Sequence, residues 1–309
     1  MGLIPHHPNA EYDALIIGRA GMDLYPLPDG TKIEDANSFA SDLGGSSGNI
    51  AVAMAKHGRK VSLAAPISDD PVGRFVSKKL AQYGVHHATP DPISQGARTS
   101  LAMAETLSTG SETVIYRNGA ADFEMPTLSD GLVHSARCVV ATGTALAQEP
   151  SRRETLSALA RAHFAILDLD YRPYSWAEGE AAQTYAEAAN HVNMIVGNDE
   201  EFDIIGGKSV AQDLAHSGKI VLFKRGSEGC EILGGDPKLI PPFMVSALKP
   251  FGAGDAFLGG TLSRLMMDDA LEDAVRFGAA AAALVVSRRG CASAMPNTKE
   301  TEAFMKGYA

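Results

Sequence analysis

Short apolar runs alternate with segments of helical periodicity along most of the chain. The apolar runs lie at residues 14–17, 61–65, 138–141, 165–168, 194–196 and 220–223. Several are apolar at every position, which is typical of parallel strands covered by helices on both faces. The helical segments lie at residues 49–58, 74–83, 154–162, 181–189, 210–215, 255–267 and 271–287. This order predicts βαβ units in a three-layer α/β/α fold with a mostly parallel central sheet.

Two stretches, at about residues 20–42 and 97–118, do not follow this rhythm. They are richer in polar and β-forming residues, and apolar positions alternate with polar ones, as in residues 99–105 and 112–117. Such alternation is typical of antiparallel hairpin strands with one apolar face. We expect a small β-sheet, set apart from the main sheet, that covers a site as a lid. Ordinary edge strands of the main sheet are the alternative.

The sequence contains no linker, repeat or low-complexity tract. Residues 1–309 are therefore expected to form a single domain, from which the two lid segments depart. Because the apolar faces of the hairpin strands need burial, we also expect a homodimer formed through the lid.

Composition and charge exclude several classes of partner. The 309 residues are 45% hydrophobic and 21% charged, an ordinary globular mixture with enough apolar material for a core. A net charge of −10 argues against nucleic-acid and anionic-membrane surfaces, because both require clustered Lys and Arg. The three cysteines are widely spaced, so we expect buried thiols in a reducing cytoplasm. Since no apolar run reaches the ~20 residues that cross a bilayer, the protein is expected to be soluble.

The segment Gly252-Ala253-Gly254-Asp255 stands at the start of the helix predicted for residues 255–267. Glycines let the backbone approach a ligand closely, and a helix N-terminus directs unpaired N–H groups and a positive dipole end at an anion. Asp255 is therefore either the N-cap of this helix or a functional carboxylate. The sequence offers no other phosphate-binding loop, which favours the functional interpretation.

A second glycine-rich segment, Gly44-Gly45-Ser46-Ser47-Gly48-Asn49, leads into the helix predicted for residues 49–58. Close-set glycines before a helix again make backbone N–H groups accessible to a ligand. Asn49 either caps the helix or offers its amide group to the hydroxyls of a substrate.

These two segments resemble the two signatures of the PfkB/ribokinase family of carbohydrate kinases. Between them, residues 198–201 (NDEE) are similar to the NxxE motif of the family. Residues 224–229 (KRGSEG) stand where the family has a glycine-containing nucleotide loop. The resemblance extends over nearly the whole chain, with four motifs in the right order. It implies a ribokinase-like fold and the transfer of phosphate from ATP to a hydroxyl of a small sugar or sugar acid.

The resemblance also implies roles for the matching residues. Asp255 would be the catalytic base that accepts the proton of the attacking hydroxyl. The transferring phosphate would be held by the N–H groups of Gly252, Ala253 and Gly254. Glu201 would organise Mg²⁺ near the phosphates of ATP, through water because this ion keeps much of its hydration shell. The nucleotide-binding residues would be Asn198, Lys224, Gly226, Gly229 and Asn297.

The substrate pocket is implied in the same way. Asp23 matches the early Asp of the family that accepts hydrogen bonds from sugar hydroxyls, with a turn-forming Asp as the alternative. The same pocket would include Gly44, Gly45 and Asn49. Three arginines, Arg98, Arg117 and Arg172, would supply positive charge around an acidic sugar, because a guanidinium suits a carboxylate. Surface salt bridges are the alternative for each arginine.

Residues 168–176 (DLDYRPYSW) narrow the implied substrate. They resemble the DxNxRxxxW stretch of keto-deoxy-gluconate kinases, with Asp170 where those enzymes have Asn. The DxDYRP form is more similar to the 5-dehydro-2-deoxygluconokinases of inositol catabolism. A 2-keto-3-deoxygluconate kinase, a fructokinase and a nucleoside kinase are alternatives within the family. A non-catalytic sugar- or nucleotide-binding module is the alternative from another class.

One position departs from the family pattern. The second signature usually begins Asp-Thr, whereas Lys249 and Pro250 precede Phe251 and Gly252 here. In ribokinase-like members that Asp helps to bind a monovalent cation. We therefore expect the ammonium group of Lys249 to occupy the vacated cation site and the activity to be independent of K⁺.

Overall fold

The computed structural model describes residues 2–93 and 96–308, and these residues form two sheets flanked by helices. The strands are β1 (Tyr12–Ile17), β2 (Gly21–Pro26), β3 (Phe39–Gly44), β4 (Val61–Ala64), β5 (His86–His87), β6 (Leu101–Ala104), β7 (Thr113–Tyr116), β8 (Ala136–Thr142), β9 (Ala165–Asp168), β10 (Met194–Asn198), β11 (Ile220–Lys224), β12 (Cys230–Leu233) and β13 (Lys238–Ile240). The helices are α1 (Ser46–Lys56), α2 (Pro71–Gln82), α3 (Asp130–His134), α4 (Ser151–Arg161), α5 (Glu180–His191), α6 (Asp199–Asp203), α7 (Gly207–His216), α8 (Ala253–Leu265), α9 (Leu271–Val286) and α10 (Thr298–Gly307).

The main sheet has nine strands in the order β13-β12-β11-β10-β9-β8-β1-β4-β5. All neighbours from β11 to β5 are parallel. The six apolar runs of the sequence are β1, β4, β8, β9, β10 and β11, so the predicted parallel sheet is confirmed. The sequence did not predict the antiparallel edge formed by β12 and β13, whose residues range from buried to exposed and carry a weaker apolar signal.

Helices cover both faces of this sheet. On β1, Ala14 and Ile16 join a core with α1, α2, α8 and α9, whereas Leu15 and Ile17 join a second core with α3, α4, α5 and α7. Because successive side chains of a strand point to opposite faces, this division identifies three layers. No helix within the two described ranges has the length and apolar character to span a membrane.

The small sheet contains β3, β2, β6 and β7 in that order. Its strands come from residues 21–44 and 101–116, which lie within or close to the two stretches identified in the sequence. The pairs β2–β3 and β6–β7 are antiparallel, as predicted, but β2 and β6 pair in parallel and join the two hairpins into one sheet. The small sheet therefore forms from two distant parts of the chain.

Candidate active site

Two cavities lie side by side at the carboxyl ends of the central strands. The first, the apolar cavity, has a volume of about 670 Å³ and includes Phe243, Met244 and Ala283 among its lining residues. The second, the polar cavity, has a volume of about 530 Å³ and lies between the main sheet and the small sheet. Both cavities are lined by Asn198, Lys224, Pro250 and Gly254. Ligands in the two cavities would therefore meet at these shared residues.

The N-terminus of α8 stands at this junction. Gly252 precedes the helix with a φ of 80°, a left-handed conformation that favours glycine. The first N–H groups of a helix have no partner within it and carry the positive end of its dipole. Ala253 lines the apolar cavity, Gly252 and Asp255 line the polar cavity, and Gly254 lines both. This turn can hold an anion between the two cavities.

Asp255 lies in the first turn of α8 and is fixed from the opposite side by α1. The Asn49 side-chain amide donates a hydrogen bond of 2.8 Å to Oδ2 of Asp255. Burial raises the pKa of Asp255 to about 7, with a further contribution from Asp170, while the hydrogen bond from Asn49 opposes the rise. A carboxylate with a pKa near the working pH is well suited to accept a proton.

Lys224 places a positive charge beside this turn. Its Nζ lies 3.2 Å from Oδ1 of Asp168 and 3.6 Å from Oε2 of Glu201. A Cβ on Gly254 would lie 3.5 Å from the same Nζ, so the ammonium group lies close to the start of α8. Burial alone would lower the pKa of Lys224, but Asp168 and Glu201 outweigh it and the net direction is upward. The side chain therefore stays protonated.

Asn198 and Glu201 form a capping box at the start of α6. The Asn198 amide N–H donates to Oε2 of Glu201 over 2.7 Å, and Oδ1 of Asn198 accepts from the Glu201 N–H over 2.9 Å. Across the described part of the chain, no group of three His, Cys, Asp or Glu side chains could ligate a metal directly. The single carboxylate of Glu201, at the wall of the polar cavity, fits a hydrated Mg²⁺ held mainly by phosphates, since this ion retains several waters.

Four buried polar atoms of the polar cavity have no hydrogen-bond partner among the residues that the structure describes. They are Arg19 Nη2, Asp23 Oδ1, Asn49 Oδ1 and Asp170 Oδ2. An unpaired buried polar atom costs about 1–3 kcal/mol, so such a cluster indicates a site that a polar ligand completes. The set comprises acceptors and one cationic donor, which suits a ligand with hydroxyls and a negatively charged or carbonyl oxygen.

The first signature shapes the wall of this cavity. Asp23, on β2, is buried, and this burial raises the pKa of its carboxyl group. A Cβ at Gly44 would overlap the Asp23 carboxylate, so the glycine leaves room for it. Gly45 lines the cavity at the start of α1 with a φ of 90°. The structure thus places Asp23, Gly45 and Asn49 in the wall of the polar cavity, with Gly44 packed against the Asp23 carboxylate.

The three arginines predicted for an acidic sugar differ in position. Arg172 lines the polar cavity and pairs with Asp170 at 2.6 Å. Arg117 also lines it, but its guanidinium is buried and donates to Asp122 and to the Thr144 carbonyl. Arg98 is exposed and does not line the cavity.

Not all of the residues predicted to bind the nucleotide lie in the same place. Gly226 and Gly229 line the apolar cavity together with Asn198 and Lys224. Asn297 does not, because its side chain caps α10 by accepting from the Glu300 N–H over 3.0 Å. The sequence did not indicate that Phe243 and Met244 line the apolar cavity. Both lie in an irregular segment between β13 and α8. That segment carries no periodic signal.

Lys249 is fully buried beneath the turn that starts α8. Its Nζ donates to the Phe251 carbonyl over 2.6 Å and to the Val285 carbonyl over 3.3 Å. Burial lowers the pKa of Lys249, while Cys291 and Asp255 oppose that change. A covalently attached cation thus binds two backbone carbonyls next to the anion-binding turn.

A three-layer α/β/α fold in which an apolar and a polar cavity meet at a buried carboxylate is suited to a small-molecule kinase. Residues 12–298 match the model of the pfkB family carbohydrate kinases. The chain belongs to this family and is an ATP-dependent carbohydrate kinase.

Relatives with curated names agree with the family. The chain is 36% identical to a 5-dehydro-2-deoxygluconokinase of Photobacterium profundum, over 93% of this chain and 92% of the relative. It is 35% identical to a 5-dehydro-2-deoxygluconokinase of Clostridium tetani, over 95% of this chain and 93% of the relative.

Solved structures establish the ribokinase-like fold. A fructokinase of Xylella fastidiosa with bound ATP is similar with a TM-score of 0.84 and 23% identity, over 96% of this chain and 99% of that chain. A fructokinase double mutant of Vibrio cholerae O395, solved with fructose, ADP and a potassium ion, has a TM-score of 0.81 and 23% identity, over 96% and 99%.

The pKa of Asp255 predicts the pH dependence of catalysis. Since the base must be ionised, kcat/KM should fall about tenfold per pH unit below an apparent pKa near 7. In Asp170→Asn, one negative neighbour is lost, so this acidic limb should move to lower pH. Asp130→Asn, at an exposed ion pair with Arg161, should leave it in place. Steady-state kinetics from pH 5 to 9 measure both, and a kcat/KM that stays level down to pH 5 in the unaltered protein would contradict the assignment.

The position of Lys249 predicts activity without K⁺. The rate should agree within about twofold between a K⁺ buffer and one free of sodium and potassium, because the cation is already supplied. Lys249→Met leaves two carbonyls unpaired and should lower the rate about tenfold or more. ADP should be quantified by chromatography, so that no coupling enzyme responds to the cation. Strong activation of the unaltered protein by K⁺ would refute this prediction.

Proposed function

We propose that this kinase phosphorylates a sugar acid, 5-dehydro-2-deoxygluconate, with ATP in the apolar cavity and the sugar in the polar cavity. The observation that carries the proposal is the Asn49-bound carboxylate of Asp255 at the junction of the two cavities. We take this substrate from the names of relatives that are 32–36% identical to this protein over nearly the full chain. Arginines in the wall of the polar cavity support an acidic sugar.

In the proposed mechanism, Asp255 accepts the proton of the sugar hydroxyl as that oxygen attacks the γ-phosphorus of ATP. Asn49 holds Oδ2 of the carboxylate, which leaves Oδ1 for the hydroxyl. The bond between the γ-phosphorus and the β,γ-bridging oxygen breaks, and ADP leaves with the electron pair. The amides at the start of α8 and the Lys224 ammonium stabilise the charge on the transferring group, where positioning and electrostatics dominate catalysis.

Mg²⁺ is a further part of the proposal. Glu201 would hold the ion through water beside Lys224 and Asn198. When bound, the ion would supply positive charge that offsets the negative charge of the phosphates. The carboxylate is already oriented, because Asn198 donates to it from the backbone.

The decisive experiment is a substrate panel assayed with ATP and Mg²⁺. 5-Dehydro-2-deoxygluconate should give the highest kcat/KM, ahead of 2-keto-3-deoxygluconate, fructose and nucleosides. Asp255→Asn should lower kcat by about two orders of magnitude or more, because the general base is lost while the side chain keeps its shape. Binding of ATP and of the sugar, measured by calorimetry, should change little.

Two results would contradict the proposal. Unchanged turnover in Asp255→Asn would remove this residue as the base. Binding of sugar without turnover of any panel compound would instead indicate a non-catalytic binding module.

We further propose that the small sheet acts as a lid and as a dimer interface. On β7, Thr113 and Ile115 line the polar cavity, whereas the alternating Val114 and Tyr116 are 42% and 60% exposed. Phe39, on the edge strand β3, is also exposed. Large apolar side chains exposed on both edge strands of the small sheet favour a protein partner, and a second copy would also cover the sheet edges.

Sedimentation velocity at micromolar concentration should show a dimer. Val114→Glu should shift it towards monomer, because a charge would be buried at the interface. Leu239→Glu, at another exposed apolar position on β13, is the control and should remain dimeric. A monomer in the unaltered protein would exclude this interface.

A further inference from the structure

Arg19 occupies the loop between β1 and β2 and lines the polar cavity. Only 7% of the residue is exposed. Its Nε donates to the Ser100 hydroxyl over 2.8 Å, while Nη2 is buried without a hydrogen-bond partner among the described residues. Oδ1 of Asp23, also unpaired, lies 3.9 Å from Nη2, too far for a hydrogen bond.

The other two arginines of the cavity are already paired with carboxylates of the protein. Arg117 is bound to Asp122 at 2.5–2.8 Å, and Arg172 is paired with Asp170 at 2.6 Å. Their charges are therefore largely neutralised within the protein. A buried guanidinium with an open donor requires an acceptor, and the cavity is the space that can supply one.

The backbone holds this guanidinium in one place. The Arg19 carbonyl accepts the Gly48 N–H over 3.1 Å, which ties the loop to α1. A Cβ on Gly21 would lie 2.9 Å from Nη2, so this glycine leaves room for the guanidinium. A side chain fixed in this way loses little entropy when a ligand binds.

Arg19 and Asp255 line the same cavity from different elements. Arg19 lies in the loop before β2 of the small sheet, and Asp255 lies in the first turn of α8. A substrate that presents its reacting hydroxyl to Asp255 can therefore present a negative group to Arg19.

We infer that Arg19 binds the carboxylate of the sugar acid and that Asp23 accepts a hydrogen bond from a neighbouring hydroxyl of the same molecule. This inference rests on the proposed function and makes Arg19 the residue that selects an acid over a neutral sugar. A planar guanidinium can bind both oxygens of a carboxylate, which a lysine ammonium cannot reproduce.

The test uses D-gluconate and D-glucitol, two polyols that differ at one end by a carboxylate in place of a hydroxymethyl group. Calorimetry should show that Arg19→Gln weakens gluconate binding about 10–100-fold, the range expected for a hydrogen bond to a charged group. Glucitol binding should change less than threefold. Arg19→Lys should restore only part of the loss. Arg74→Gln, at an exposed ion pair with Asp69, is the control and should bind both probes as the unaltered protein does.

Two further measurements separate the possible failures. ATP affinity and the urea midpoint of each variant report whether the fold is intact. Equal weakening of both probes, or no weakening of gluconate, in a folded Arg19→Gln would overturn the inference. If the unaltered protein phosphorylates only neutral sugars, the proposed substrate class is wrong. The selective loss of gluconate in Arg19→Gln would then still establish the carboxylate site.

Discussion

The protonation state of Asp255 depends on two opposing sets of interactions, and the other residues of the site surround this carboxylate. The N-terminus of α8 and the Asn49 amide favour the ionised form. Burial and Asp170 favour the protonated form and bring the pKa to about 7. A fully solvated aspartate would be too weak a base, and one buried without these donors would not ionise at neutral pH.

The parallel sheet places three further polar side chains of the site at the carboxyl ends of neighbouring strands. Asp168 ends β9, Asn198 ends β10 and Lys224 ends β11, and Asn198 and Lys224 are paired in register. Because parallel strands bring their carboxyl ends to one edge, three neighbouring strands deliver an acid, an amide and an amine to the same junction. Lys224 links the two cavities, so a nucleotide phosphate and the sugar would both lie near its positive charge.

Much of this arrangement could be predicted from local sequence. Continuous apolar runs identified the parallel strands, and the glycines around Asp255 indicated an anion-binding helix start. Arg19 was not identified, because an arginine after a strand becomes informative only when its unpaired Nη2 is seen in the cavity. Asn297 and Arg98 were assigned from sequence position, but contacts decide their roles. Asn297 caps α10, and Arg98 turns to solvent near the Ala97 carbonyl.

A crystal structure with ADP, a planar fluoride mimic of the phosphoryl group and the sugar acid tests the central claim most directly. Asp255 Oδ1 should lie within hydrogen-bonding distance of the sugar oxygen that faces the mimic. The amides of Ala253 and Gly254 should point at the mimic's fluorides. A complex in which the nucleotide phosphates lie away from the start of α8, with Asp255 contacting only protein atoms, would contradict this account.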